Sequence, residues 1–263
     1  MALLQYFDPK FLRKGNLMEH RSIWLCIVSL VISCTAWSSP KIETHWEVLK
    51  QSDGITVSRH QQLGKSILSF KGRGKVEGSL VRLVNIMTDV SKMPAWIDGC
   101  VKAQIVRKNF TAKSFDMNAD EFQMTIWGEN FLPWPLNNRD YVLSGSIDWA
   151  VEGSDLIATI SLVKDKALRM PPADGVIPMK DMNSQLILRE SAQHKHEIDV
   201  EMIVTVDPGG VLPAWASNIV ASSFPHKTIM SLRRLMQQNA YDQQMENLIQ
   251  YQYDKAKAAS LSH

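Results

Sequence analysis

Alternation of apolar and polar side chains runs through most of the chain, and helical spacing replaces it in two places. "ITVSRHQ" and "SILSFKGRGKV" alternate or nearly alternate, which predicts strands. "GSLVRLVNIMTDVSKMPAWI" carries Leu80, Leu83, Val84 and Met87 at helical spacing, and Pro94 is expected to end or kink that helix. "CVKAQIVRKN" puts Val101, Ala103 and Ile105 on one side, with Lys102 and Gln104 on the other. "FQMTIWG", "DYVLSGSIDWAV" and "DLIATISLV" follow as strands, and "SQLILRES" with "HEIDVEMIVTVD" predicts a late hairpin. In its second arm Ile198, Val200, Met202, Val204 and Val206 share one face, while Asp199, Glu201 and Thr205 share the other. One wet face and one covered face is the pattern of antiparallel sheet.

After the turn signal "DPGG" the period changes. Leu212, Trp215 and Ile219, then Ile229, Leu232, Leu235 and Met236, predict one long amphipathic helix. Pro225 lies in its middle, removes one backbone hydrogen bond and is expected to bend it. From Tyr241 the chain is mostly Gln, Asn, Lys and Ala, so residues 240–263 read as a polar helical extension or a frayed tail. The order of strands, helix, many antiparallel strands and one long helix gives an α+β fold with helices on one face of the sheet. A curved sheet closed by one helix leaves a concave space, and what fills that space is the functional question.

Length and composition narrow the picture. The 263 residues allow one domain of about 200 residues plus extra segments, and 45 % hydrophobic content supplies a sizeable core. The body is expected over residues 44–239. Residues 1–40 hold Lys10, Arg13, Lys14 and Arg21 against Asp8 and Glu19, which accounts for the whole net charge of +2. The rest is balanced, so no nucleic-acid partner is expected.

The amino end reads as a leader, residues 1–38. "EHRSIWLCIVSLVISCTAWSSP" has a basic flank, an apolar stretch from Ile23 to Ile32 and small residues after it, the layout of a secretory signal peptide. Met18 begins this pattern cleanly, so residues 1–17 read as an over-long start and 18–38 as the signal peptide, cleaved after Ala36 or Ser38. The expectation is export, to a bacterial periplasm or envelope. Two alternatives stay open: lipidation of Cys34 at the "VISC" box, or an uncleaved anchor, since Ser22 to Pro40 carries no charge. Only Cys100 remains in the body, so no internal disulfide forms there and the core must hold the fold.

"PWPLNNRDYV" resembles the "P-aromatic-P-x-x-N-R-D-aromatic-V" segment of START domains, the steroidogenic-acute-regulatory-protein-related lipid-transfer family. "HWEVLKQSDGITVSR", "FKGRGKV" with "DVSKMPAWID", and "VDPGGVLPAWASN" resemble three further stretches of the family in the same order. The resemblance runs from His45 to Asn239. It implies a helix-grip fold, in which a curved antiparallel sheet wraps a long carboxy-terminal helix around an internal lipid tunnel. It also implies binding and transfer of one apolar or amphipathic lipid without metal or organic cofactor, and transient membrane contact. The protein is expected to act as a monomer. The alternative is a helix-grip enzyme, of cyclase or hydrolase type, acting on a hydrophobic small molecule.

Candidate residues follow from chemistry. Trp134 and Leu136 sit on a stiff proline-flanked loop suited to covering a cavity mouth or dipping into a bilayer interface. Arg139 and Asp140 are adjacent, so on a strand they face opposite ways, and Arg139 suits a phosphate or carboxylate head group. Trp96, Met124 and Trp127 are expected to border the tunnel, with Trp215, Ile219 and Ile229 facing inward from the last helix. Met117, Met124, Met170, Met179, Met182 and Met202 suit an adaptable lining. Sterol-carrying members place a second basic residue where this chain has Gly145, which argues for an apolar tunnel with little fixed polarity beyond Arg139. Chemistry of other kinds is poorly supported: there is no Gly-x-Ser-x-Gly elbow, phosphate loop or Cys-x-x-Cys. His194 and His196 have no evident third ligand, and Asp120 and Glu121 point apart on a strand.

Overall fold

The computed structural model describes residues 46–61, 67–109, 122–171, 174–194, 196–210, 212–238 and 243–260. The leader, Met117, Asp120, Glu121 and the side chain of Ile219 lie outside the described residues. Ten strands form one sheet: β1 (Glu47–Ser52), β2 (Ile55–Gln61), β3 (Leu68–Glu77), β4 (Cys100–Lys108), β5 (Gln123–Asn130), β6 (Asn138–Glu152), β7 (Asp155–Lys164), β8 (Val176–Pro178), β9 (Asp181–Glu190) and β10 (Glu197–Asp207). Their order is β1-β2-β3-β10-β9-β7-β6-β5-β4, antiparallel throughout, and the short β8 pairs parallel to β6 off this path. Helix α1 (Leu80–Thr88), a 3-10 turn (Val90–Lys92) and α2 (Met93–Trp96) separate β3 from β4, and α3 (Ala214–Met236) and α4 (Gln243–Ser260) close the chain.

The expected strand faces hold where pairing is regular. Ile198, Val200, Met202, Val204 and Val206 are all buried, and so are Leu80, Leu83, Val84 and Met87 of α1. Helix α1 stops earlier than Pro94 suggested. It ends at Thr88, Asp89 then accepts from the Ser91 N–H to start the 3-10 turn, and Pro94 sits in the first turn of α2. Proline is well placed there, because the first N–H groups of a helix have no intrahelical partner. On the edge strand β4, Val101 and Ile105 are exposed rather than covered, and register shifts beside each of them break the alternation.

Helix α3 spans residues 214–236 with Pro225 inside it. It packs on β2 and β3, and two glycines of β3 set how closely. A Cβ on Gly72 would stand 2.6 Å from Pro225 Cβ, and one on Gly74 would stand 3.3 Å from Ile229 Cγ2. The far half of α3 is pinned. Ile229 and Leu232 are fully buried, Arg233 donates to the carbonyls of Lys75 (2.8 Å) and Asp53 (2.7 Å), and Arg234 donates to the Ala95 carbonyl (3.1 Å).

Residues 243–260 form a separate helix against α1 and β6, not an extension of α3 or a frayed tail. Leu248 and Ile249 are buried, Gln252 accepts from Trp149 Nε1 (3.1 Å), and Tyr253 donates to Glu190 (2.8 Å). No helix among the described residues is long and apolar enough to cross a membrane.

Candidate functional site

A cavity of about 280 Å³ lies between the sheet, the β5–β6 loop and the first half of α3. Leu68 and Phe70 of β3, Met182 of β9, and Val204 and Val206 of β10 form its apolar floor. Phe131, Leu132 and Pro133 cover it from the loop, and Leu212, Val220 and Phe224 cover it from the other side. A second cavity of about 30 Å³, lined by Trp96, Phe122, Met124, Ile126, Ile147 and others, lies between α1–α2 and strands β5–β7. The larger one is where an apolar ligand can leave water.

The "NNRD" segment assembles the polar edge of this site, and each residue has a separate task. Asn138 ties down the loop: its Oδ1 accepts from the Leu132 N–H (3.4 Å) and its Nδ2 donates to Glu129 Oε1 (2.8 Å). That bond, helped by Lys102 at 2.9 Å, holds the Glu129 carboxyl below its ordinary pKa. Arg139 points to the cavity and Asp140 points away from it, as adjacent strand residues must. Asp140 accepts from Trp127 Nε1 at 3.0 Å.

Arg139 is 3 % exposed. Its Nε donates to the Pro208 carbonyl (2.8 Å), Nη1 to the Asn137 carbonyl (2.6 Å) and Nη2 to the Gly209 carbonyl (3.4 Å). The "DPGG" turn makes this possible. Gly209 and Gly210 both adopt positive φ, 69° and 67°, and Asp207 Oδ1 accepts from the Gly209 N–H (3.1 Å). Consecutive residues at positive φ call for glycine, and the turn they make presents the Pro208 and Gly209 carbonyls to one guanidinium. Burial lowers the Arg139 pKa, although a guanidinium stays charged at any working pH.

A further polar group joins the covering helix to the body. Asp98, in the turn before β4, accepts from Ser223 Oγ (3.4 Å) and pairs with Lys227 (3.5 Å), and its own N–H donates to Thr228 Oγ1 (3.3 Å). Sequence reasoning missed this residue; its only signal is its place in the "WIDG" turn. His226 meets Ser52 Oγ (3.0 Å) and Asp53 Oδ2 (2.8 Å) through the same atom, Nε2. A Ser-His-Asp relay needs both ring nitrogens, so this set fastens α3 to the β1–β2 turn and is not a nucleophilic triad.

Of the sequence candidates, Arg139 lines the larger cavity, and Trp96 and Met124 line the smaller one. Met179 and Met182 also line the larger cavity, whereas Met202 is core and Met170 borders an outer groove. Trp127 borders neither cavity. Its neighbours Ile126 and Gly128 face inward, so alternation turns the indole to the outer side, where Lys102 lies 5.2 Å from the ring centroid. Ile229 is spent on packing against Gly72 and Gly74. Trp134 is 88 % exposed at the tip of the turn closed by the Leu136 N–H to Pro133 carbonyl bond (3.0 Å), and Leu136 is half-buried beside it. Trp215 is exposed at the start of α3. Neither Trp134 nor Leu136 covers the cavity; Phe131, Leu132 and Pro133 do.

The chain aligns along 194 residues with phosphatidylcholine transfer protein of mouse (24 % identity) and rat (26 % identity), covering 73 % of this chain and 84 % of each relative. The body of the chain resembles START domains in sequence and has their fold. No protein-family model matches it. In fold, the chain superposes on a STAR-related lipid transfer protein from Xanthomonas axonopodis with a TM-score of 0.58, at 22 % identity over 73 % of this chain and 99 % of that one. It superposes on human StAR-related lipid transfer protein 5 with a TM-score of 0.55, at 14 % identity over 82 % of this chain and 93 % of that one. The sheet and the long carboxy-terminal helix of the helix-grip fold are both present.

Proposed function

We propose that this protein binds one lipid in the cavity beneath the β5–β6 loop and carries it between membranes without altering it chemically. The observation that carries the reading is an apolar cavity covered by the β5–β6 loop and the first half of α3, with large apolar side chains exposed on both. Phe131 (57 %) and Trp134 (88 %) stand on the loop, and Trp215 (43 %) stands on the start of α3. Aromatic side chains favour the membrane–water interface, so these three suit transient docking on a bilayer. The names of the relatives that align with the chain, phosphatidylcholine transfer protein, support the same reading.

Opening has a natural fulcrum. The half of α3 beyond Pro225 is buried and pinned by Arg233 and Arg234. Before it, Ser223 Oγ bonds Asp98 at the mouth (3.4 Å), and just past it Lys227 and Thr228 hold the same residue. An exposed ion pair of this kind contributes about 0–1 kcal/mol, little enough for docking to break it. A carrier also explains why the ionisable groups at the cavity are committed to one another or to backbone carbonyls instead of facing each other as an acid and a base. Transfer of a labelled lipid from donor to acceptor liposomes tests the proposal: the protein accelerates it, and an unchanged rate with bound lipid points to a sensor that does not transfer. The uncharged apolar stretch of the leader supports export to a bacterial periplasm or envelope, and amino-terminal sequencing of envelope-associated protein tests that part.

A further inference from the structure

Size and charge together narrow the ligand. An engineered apolar cavity of ~150 Å³ takes up benzene, six carbons. By that yardstick 280 Å³ receives on the order of a dozen heavy atoms, room for most of one acyl chain and not for two. The 30 Å³ cavity adds room for a group about the size of one water molecule. Two chains with a glycerophosphate between them exceed both volumes together.

The charges on the wall do not cancel. Its ionisable side chains are Asp98, Arg139 and Lys227. Asp98 pairs with Lys227, and Arg139 makes no ion pair among the described residues. A guanidinium has five N–H groups, and three of those of Arg139 are bound to carbonyls. Each terminal nitrogen therefore keeps one N–H, a spacing that suits two oxygens of one carboxylate or phosphate. A buried cation without a counter-charge is costly, and a bound anion supplies that charge.

Resting on the carrier reading above, we propose that the preferred cargo is a single-chain amphiphile with a monoanionic head, its chain on the Phe70, Met182 and Val204 floor and its head on Arg139. The head is a carboxylate or a phosphodiester, so the cargo is a fatty acid or an anionic lysophospholipid. A zwitterionic two-chain phospholipid, the class named for the mammalian relatives, is disfavoured by its second chain and by its choline cation, because the one carboxylate among the described lining residues, Asp98, is already paired with Lys227.

The test uses the delipidated full chain and displacement of a fluorescent fatty acid. Competitors are palmitic acid, hexadecanol, lysophosphatidylglycerol, lysophosphatidylcholine and dipalmitoyl phosphatidylcholine. Palmitic acid or lysophosphatidylglycerol is expected to compete about 10-fold or more better than the neutral or zwitterionic single-chain partner, the scale of one charged hydrogen-bonded contact. Whichever anion wins identifies the head, and the two-chain lipid competes weakly. Equal competition by acid and alcohol, or tighter stoichiometric binding of dipalmitoyl phosphatidylcholine, overturns the proposal and leaves the carrier reading standing. Failure of every lipid to bind overturns both. Arg139→Lys, which keeps the charge, should retain preference for the anion, and Arg139→Met should lose it. If either variant fails to fold, the wild-type competition series still decides.

Discussion

Gly72→Ala tests how the long helix is seated, because two effects of opposite sign compete at that position. In a strand conformation open to any residue, replacing Gly by Ala stabilises by about 0.4–1 kcal/mol through the unfolded chain. Against this, the new Cβ would lie 2.6 Å from Pro225 Cβ and 3.3 Å from Ile229 Cδ1. Carbon pairs settle near 3.5–4.0 Å, so α3 must retreat by about 1 Å. The proline ring cannot turn aside as a flexible side chain could. Overpacking of this kind typically costs about 1–3 kcal/mol, and the net expectation is a loss of about 1–2 kcal/mol. For a domain of this size that lowers the melting temperature by about 2–8 °C. Because α3 also roofs the cavity, lipid release should quicken as well. Thermal unfolding of Gly72→Ala, Pro225→Gly and the double variant is the assay. Removing the ring should make the alanine less harmful, giving a coupling of about 0.5 kcal/mol or more. A stabilised Gly72→Ala, or costs that simply add, would refute the close approach.

Asp98→Asn should loosen the middle of α3, around Ser223 and Lys227, and raise the dissociation rate of a bound fluorescent lipid severalfold at most, in line with a contribution of about 0.2–1 kcal/mol; an unchanged rate argues that the mouth opens elsewhere. Trp134→Ala and Phe131→Ala should weaken vesicle binding in a flotation assay while stability stays within about 0.5 kcal/mol, as expected of exposed side chains. Undiminished flotation removes the loop from the docking surface. Asn138→Ala leaves the Leu132 N–H and Glu129 Oε1 without that partner, and should cost about 1–3 kcal/mol. It should also shift acid unfolding. Glu129 has a folded pKa below the ordinary 4.5, so its contribution is complete above that pH and is lost as pH falls through the lowered value. Without Asn138 the acid midpoint should move to higher pH, and an unmoved midpoint counts against this link.

Much of the fold is legible in the sequence because burial writes a period into it. Strand β10 and helix α1 show one covered face each, and their inward residues are those that the pattern names. The opposed directions of Arg139 and Asp140 also follow from adjacency alone. Where the pattern misled, a local event reset it. Register shifts in β4 brought Val101 and Ile105 to the surface. The polarity of residues 243–260 hid a packed helix, since Leu248 and Ile249 suffice to bury one edge of it. The candidate site was harder to read. As an apolar residue on a wall strand Trp127 reads as tunnel lining, but parity decides direction, and parity turns it toward Asp140. Asp98 acts through partners more than a hundred residues away, which no local pattern records. No local pattern marks the glycines of "FKGRGKV" as the seat of a helix; that need shows only in the packing of α3 above them.

The central claim is that the cavity holds a lipid. Native mass spectrometry of the full chain, purified gently from its own host, tests it most directly. A population heavier than the bare chain by the mass of one lipid is expected, lost on delipidation and regained on mixing with that lipid. A single species at the bare mass that takes up no lipid from fatty acids, lysolipids, phospholipids or sterols would contradict it.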